Sequence, residues 1–512
     1  MEPQTPSAAA SRVLVLADER ATRRLAGDVA AILAPGDLVT LSGDLGAGKT
    51  TFARALIRQL AGDEKLEVPS PSFTLLQSYG LPRFSVVHAD LYRVSDPREI
   101  LELGLEEASE GAAVLLEWPD RAIGMLSSDR LDIAFTLAPD LGLEHREARI
   151  TPYGSLVPRA QRLMSVRRFL EDAGLAGAQR RFIQGEASTR IYERLIEHHR
   201  SVILMDAPRR PDGPPVRNGK PYSAIAHLAE NVTPFVAMAR ALKARGFSAP
   251  EIYAADLDEG LLVLEDLGTE RIVASDAHAT IQERYATAVD ALVVLHRHVL
   301  PPVLPVAPRI EHALPRYDMD AFLIEAELLL DWYMPLHGRS VPPEARAEFL
   351  GLWRELLRVA IDAPSTWVLR DYHSPNLLWL PDRQGIARLG LLDFQDALLG
   401  PAAYDLVSLL QDARVDVPEP MEIALLGGYV RARQASDPEF DPKQFLELYA
   451  LLGAQRATKI LGIFVRLDRR DGKPQYLRHL RRVWSYLERS LAHPGLGRLK
   501  AWYGGNVSPP PV

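Results

Sequence analysis

Apolar positions along the chain cluster into short runs separated by stretches with helical spacing, and this alternation sets the expected elements. Val13–Leu16 reads as a strand, and 18–33 carries apolar residues at helical intervals up to Pro35-Gly36. The run Leu38–Leu41 enters a glycine-rich turn and then a helix reaching about Leu60. Further strands are expected at 84–90, 112–117, 130–137 and 148–151, closing a first unit near Ser155. Strands alternating with helices predict an open α/β sheet with flanking helices.

From Val157 the pattern changes. Residues 159–171 have helical spacing, followed by three strands at 181–184, 190–197 and 201–206, the first two joined by a turn at 185–189. A Pro/Arg/Gly-rich loop (208–218), a helix (235–245) and a buried strand entering a hinge (260–268) come next. Residues 420–490 read as helical, while 1–11 and 504–512 are expected to be disordered. The division expected is 12–156 and 157–503, with the second part split into lobes of about 157–268 and 269–503.

Composition narrows the function classes. A chain of 512 residues is too long for one ordinary domain, and 47% hydrophobic with 25% charged residues is globular. The formal net charge of −8 argues against gripping nucleic acid through a global field. There is no cysteine, so disulfides, thiolate catalysis and Cys-ligated zinc are excluded. No basic leader precedes the short apolar run at Val13, and no 18 apolar residues run together. The expectation is a cytoplasmic protein with no membrane partner.

The glycine-rich turn carries the first chemistry. Gly43-Asp44-Leu45-Gly46-Ala47-Gly48-Lys49-Thr50-Thr51 fits G-x-x-x-x-G-K-[ST] between a strand and a helix, the context in which the motif is a P-loop. Backbone N–H groups there can curl around phosphates, Lys49 supplies a point charge, and the Thr50 hydroxyl can ligate Mg²⁺. Two strands end in carboxylates, Asp90 and Glu117, each able to hold Mg²⁺ or to orient an attacking water. Pro69–Thr74 is either a plain turn or a loop that senses the γ-phosphate.

The second half holds Leu369-Arg370-Asp371-Tyr372-His373-Ser374-Pro375-Asn376, then Leu392-Asp393-Phe394-Gln395-Asp396. Kinase-like transfer needs an Asp base, an Asn five residues on for Mg²⁺, and a later strand-end Asp for the same cation. Asp371, Asn376 and Asp393 meet that spacing. The turn with Gly185, Ser188 and Thr189 is either an ordinary hairpin or a phosphate loop. Asp405, in Gly400-Pro401-Ala402-Ala403-Tyr404-Asp405-Leu406, is read as bracing the loop. His198, His199, His296 and His298 have no carboxylate at metal spacing and read as structural.

Four ordered motifs, Gly43–Thr51, Pro69–Thr74, His88-Ala89-Asp90-Leu91-Tyr92-Arg93 and Leu116-Glu117-Trp118-Pro119, resemble the TsaE family over residues 12–155. That family is the small ATPase of the bacterial machinery that makes threonylcarbamoyladenosine in tRNA. The resemblance implies nucleotide contacts at Gly46–Thr51, Mg²⁺ near Thr50 and Glu117, functional roles for Asp90 and Trp118, and partner subunits through which tRNA is reached only indirectly. Ser72 stands where the family usually has Thr, and the hydroxyl is kept.

Residues 158–500 resemble the aminoglycoside/choline phosphotransferase superfamily, whose fold is kinase-like, bilobal and α+β. Gly185-Glu186-Ala187-Ser188-Thr189-Arg190, Leu204-Met205-Asp206-Ala207-Pro208 and Leu264-Glu265-Asp266-Leu267-Gly268 narrow this to its cell-wall amino-sugar kinase branch (AmgK-like). That resemblance implies ATP and Mg²⁺ as cofactors, Asp371 as base, Asn376 and Asp393 as metal ligands, Gly185–Thr189 as the phosphate loop, and an amino sugar as acceptor. One departure stands out: no lysine lies between Lys65 and Lys220, so the third strand lacks the usual phosphate-pairing lysine. Either Arg190 or Arg194 substitutes, or this half only binds. An aminoglycoside, choline or another amino alcohol remains an alternative acceptor, and an ATP-gated scaffold an alternative role.

Overall fold

The computed structural model describes residues 11–511 apart from 96–98, 101–103, 184–189, 198–199, 210–212, 275–278, 337 and 339. The chain forms two compact units, one comprising residues up to Asp206 with Leu261–Val263, the other Ala207–Gly260 with Leu264–Val512.

In the first unit, β1 (Arg12–Leu16), α1 (Glu19–Ile32), β2 (Leu38–Ser42), α2 (Lys49–Ala61), β3 (Leu76–Tyr79), β4 (Ser85–Asp90), β5 (Ala112–Glu117), β6 (Arg130–Leu137) and β7 (Arg146–Pro152) build a seven-stranded sheet with order β1-β7-β6-β2-β5-β4-β3. The central strands β6, β2, β5 and β4 run parallel. β5 and β4 are buried on both faces, as strands in a sheet covered on both sides are, whereas β6 alternates Arg130 and Asp132 with buried Leu131 and Ile133. α1 begins where Asp18 accepts a hydrogen bond from the Ala21 N–H at 2.7 Å. Leu25 and Val29 on α1, Phe52 and Ile57 on α2, Val39, Leu41, Leu115 and Phe135 from the sheet form one core. Each such side chain contributes ~1.5–3 kcal/mol by leaving water.

The packing of this unit does not stop near residue 156. α3 (Leu156–Asp172) buries Leu163 in the same core, and its Arg159 forks onto Asp37 at 2.6 Å through both terminal nitrogens. Arg167 of the same helix pairs with Asp28 at 2.8 Å, and Arg162 with Asp206 at 2.6 Å. The antiparallel strands β8 (Gln179–Ile183), β9 (Ile191–Glu197) and β10 (Arg200–Asp206) come next. Half-buried Arg180 on β8 joins Asp28 of α1 to Glu193 of β9, and Gln59 of α2 donates to the Arg180 carbonyl. These ion pairs carry the compact unit to Asp206, well past the change in sequence pattern.

The second unit contains α4 (Thr233–Lys243), β11 (Ile252–Asp256), α5 (Gln282–Leu295), α6 (Met319–Leu328), β13 (Ser365–Val368), β14 (Leu377–Trp379), β15 (Leu389–Leu391), β16 (Leu398–Pro401), α7 (Ala403–Leu410), α8 (Glu419–Ser436), α9 (Pro442–Arg469), α10 (Leu480–Leu491) and α11 (Gly497–Asn506); β12 (Leu261–Glu265) spans the division between units. Of the described helices, α9 alone is long and apolar enough to cross a membrane, but 83% of that window is buried inside the protein, so it is a core helix. Gly462 of α9 lets α6 approach, because a Cβ there would sit 2.3 Å from the Leu328 carbonyl.

Two expectations change. Residues 504–506 belong to α11, and the Tyr333 hydroxyl donates to the Ser508 carbonyl at 2.9 Å, so the C-terminal tail is docked rather than disordered. Buried Trp502 and Tyr503 anchor it. Within 208–218, Pro215–Arg217 pairs with Lys220–Pro221 as a small hairpin. The start (1–10) and His198 and His199 lie outside the described residues.

Candidate active sites

The P-loop lies between β2 and α2. Gly43 sits at φ 129°, where a Cβ would meet the Phe135 carbonyl at 2.2 Å, and Gly48 at φ 112° opens α2. Gly46 also has positive φ, and Ala47 is buried with its N–H bonded to the Asp44 carbonyl at 3.2 Å. The Lys49 ammonium donates to the Gly43 and Asp44 carbonyls at 2.7 and 2.9 Å, and lies 3.9 Å from the centre of the Trp118 ring. Burial lowers its pKa, while Glu117, Asp90 and Asp44 oppose the change. Thr51 is half-buried and borders a cavity between α1 and α2.

The parallel register places Asp90 of β4 beside Glu117 of β5, and Leu41 at the end of β2 beside Glu117 as well. Strand ends are where an open α/β sheet binds ligands. The Thr50 hydroxyl donates to Glu117 Oε2 at 2.9 Å, and Glu117 Oε1 meets His88 Nε2 at the same distance. Asp90 accepts from the Tyr92 N–H at 3.0 Å and from the Ser70 hydroxyl at 3.3 Å. The loop 69–74 is thereby tied to Asp90, with Phe73 exposed over Arg93. Trp118 adopts φ 60°, an uncommon geometry for a large residue, and faces Tyr92 with ring centres 5.0 Å apart. His88 falls within a sequence motif, but no role for it could be assigned from the sequence; its contact with Glu117 depends on the neighbouring strand.

In the second unit, Leu369–Asn376 connects β13 to β14. Arg370 and Asp393 both have positive φ, 68° and 55°. Such strain persists where surrounding contacts over-determine it. Asp405 on α7 accepts from the Leu369 and Arg370 N–H groups at 2.6 and 2.8 Å, so it does brace the loop. Burial pushes its pKa up to about 7 against those two bonds, with Asp371 adding to the rise. A second brace escaped sequence reading. Buried Asp412 accepts from both the N–H and the hydroxyl of Ser374, at 2.9 and 2.5 Å.

Asp371 is about one-third exposed, and His373 Nε2 lies 3.8 Å from its Oδ1. Burial, then Arg414, Arg456 and Lys459, hold His373 well below its ordinary pKa, so it is neutral. Asn376 turns its NH₂ to the Asp371 carbonyl at 3.0 Å and stands 3.5 Å from Asp393 Oδ2. Gln395 donates to Asp393 Oδ1 at 2.8 Å. The Asn376 amide thus bridges the Asp371 backbone and the Asp393 carboxylate. Gly185, Ser188 and Thr189 lie outside the described residues. At the end of the third strand, Met205 is buried and Asp206 takes the Arg162 guanidinium.

Oxygen donors of this kind suit Mg²⁺, which prefers one or two protein ligands completed by phosphate and water. Asn376 fits because its NH₂ is already engaged, leaving Oδ1 available. No cluster of three or more His, Cys, Asp or Glu able to hold a metal by itself occurs among the described residues.

Fold and sites together define an ATP-using enzyme with a P-loop ATPase head and a kinase-like phosphotransfer head. The family model for the threonylcarbamoyl adenosine biosynthesis protein TsaE matches residues 16–146, and that for the phosphotransferase enzyme family matches residues 179–448. The N-acetylmuramate/N-acetylglucosamine kinase of Caulobacter vibrioides is 40% identical over 350 residues, covering 65% of this chain and 94% of that protein. Its namesake from Pseudomonas aeruginosa is 34% identical, covering 61% and 84%. The tRNA threonylcarbamoyladenosine biosynthesis protein TsaE of Rickettsia bellii is 42% identical over 126 residues, 25% of this chain and 87% of that protein. The chain belongs to the TsaE family through its first part and to the phosphotransferase enzyme family through its second.

Proposed function

We propose that the second head transfers the γ-phosphate of ATP to the anomeric hydroxyl of N-acetylmuramate or N-acetylglucosamine during cell-wall recycling. The first head hydrolyses ATP in support of threonylcarbamoyladenosine formation in tRNA, acting on partner subunits and reaching tRNA only through them. The observation that carries the kinase reading is the approach of Asn376 to Asp393, with Asp371 on the same strained, doubly braced loop as Asn376. The acceptor is drawn from the similarity to the Caulobacter vibrioides kinase.

Asp371 accepts the proton of the attacking hydroxyl as its oxygen bonds to the γ-phosphorus and the bond to ADP breaks. Neutral His373 beside it adds no competing positive charge. Asn376 and Asp393 would hold Mg²⁺, which supplies charge neutralisation on the phosphates. In the first head, Thr50, Glu117 and Asp90 would hold Mg²⁺, and Glu117, fixed by His88, orients the attacking water.

Phosphoryl transfer from ATP to N-acetylmuramate, N-acetylglucosamine, choline and an aminoglycoside tests the reading, beside Asp371→Asn and Lys49→Ala. Transfer to the acetylated sugars is expected, abolished by the first substitution and kept by the second. Transfer to choline or the aminoglycoside alone would replace the acceptor. No transfer at all would leave a binding module, the role suggested by the lysine missing from β10.

A further inference from the structure

A cavity of about 770 Å³ lies within the first unit, away from the P-loop carboxylates, walled by α1, the outer face of α2, the end of α3 and strands β8 and β9. Its size is that of a small-molecule site. Ten basic and six acidic side chains line it, in a chain whose net charge is −8. The acids are largely consumed by neighbours. Asp28 is taken by Arg167 and Arg180, Glu193 by Arg180, Glu19 by Arg23 and Glu171 by Arg167.

The remaining cations are presented in pairs. Arg54 and Arg58 stand one turn apart on α2, each with Nε bound to a backbone carbonyl, Val68 at 3.1 Å and Leu66 at 2.9 Å. Anchored in this way, each guanidinium keeps its two terminal nitrogens for a further acceptor. Arg20 and Arg24 stand one turn apart on α1, and Arg181 lies on β8. Among the described residues, these three pair with no carboxylate. Planar guanidinium forks held at fixed positions match phosphate oxygens in a way flexible lysines do not.

We propose that this cavity binds a phosphorylated small molecule of nucleotide size, its phosphates held by Arg20, Arg24, Arg54, Arg58 and Arg181. A nucleotide and a sugar phosphate share this chemistry. A cavity with walls on several elements favours a small ligand over a nucleic-acid backbone, which would need an open basic ridge. Asp90 and Glu117 of the P-loop site do not line the cavity, and its assignment stands whichever acceptor the kinase head uses. Gln59 and Arg180 border it and link α2 to β8, so a ligand there touches the helix that carries the P-loop lysine.

The test is calorimetric titration of ADP, N-acetylglucosamine 1-phosphate and inorganic pyrophosphate into full-length Lys49→Ala/Asp393→Asn protein without magnesium, which silences the two phosphate-transfer sites. At least one probe is expected to bind at one per chain. Affinity should fall tenfold or more when Arg20→Gln, Arg24→Gln and Arg181→Gln are added, with an unchanged melting temperature. Which probe binds distinguishes a nucleotide from a sugar phosphate. No binding, or equal binding by the triple variant, overturns the proposal. Independently of the arginine substitutions, the bound probe should slow phenylglyoxal modification of Arg54 and Arg58 in the double-variant protein, read by mass spectrometry. Unchanged modification would count equally against the site.

Discussion

His88 Nε2 meets Glu117 Oε1 at 2.9 Å, while Glu117 Oε2 takes the Thr50 hydroxyl at the same distance. One buried carboxylate therefore ties the first turn of α2 to the interior of β4, and its orientation is set before nucleotide arrives. His88 itself is fully buried. His88→Ala is expected to lower the ATPase kcat about 10- to 100-fold, the usual cost of losing a group that orients a catalytic or metal-binding residue. His88→Gln should recover part of it. Sugar phosphorylation by the same protein should be unchanged. Equal loss with both variants and a lowered melting temperature would assign His88 to folding alone.

Lys49 is held by two carbonyls of its own loop and by the Trp118 ring. A phosphate entering the loop competes for the ammonium and draws it off the ring. ATP should therefore change tryptophan emission in the unmodified protein. The change should vanish in Trp118→Phe, although six other tryptophans remain. It should also vanish in Lys49→Ala. A signal that survives Trp118→Phe would place the reporter elsewhere.

The loop carrying Asp371 depends on two carboxylates that never face the substrate. Asp405→Ala leaves the N–H groups of Leu369 and Arg370 without their acceptor, at ~1–3 kcal/mol for each buried orphan. Asp412→Ala does the same for Ser374. Each substitution should reduce the kinase kcat at least tenfold, with a smaller effect on the ATP KM, and should leave ATPase activity intact. Kinetics on the two heads of one preparation would settle this. A parallel loss of ATPase would point to global unfolding.

Chemistry that is contiguous in sequence was legible. The P-loop glycines, Thr50, the strand-end Asp90 and Glu117, and the Asp371–Asn376 spacing each sit in a local pattern dictated by backbone geometry. What escaped was set by long-range packing. Arg162 meets Asp206 44 residues away, Asp412 meets Ser374 38 away, and Arg180 meets Asp28 152 away. No periodicity announces such partners. Arg159 and Arg167 of α3 likewise meet Asp37 and Asp28, 122 and 139 residues away. The tail misled for another reason: its glycines and prolines suggested disorder, yet Trp502 and Tyr503 bury themselves and hold the last turn of α11 in place.

Acid stability should be governed in part by Glu325. This fully buried carboxylate accepts from Lys459 Nζ at 2.8 Å, from Arg370 and from the Tyr317 hydroxyl. Burial alone would raise its pKa, but Lys459 and Arg370 outweigh it and hold the value at about 2. With a folded value below the unfolded 4.5, the group's contribution is complete above pH 4.5 and is lost as pH falls toward 2. The shift corresponds to ~3 kcal/mol. Glu325→Gln should remove that portion of the pH dependence between 4.5 and 2. At neutral pH it should cost ~3–5 kcal/mol, because Arg370 and Lys459 are left buried without their counter-charge. Urea unfolding of both proteins at pH 7 and pH 3, monitored on the second unit, measures the difference. A stability gap that is the same at both pH values would show that Glu325 acts through packing and not through its charge.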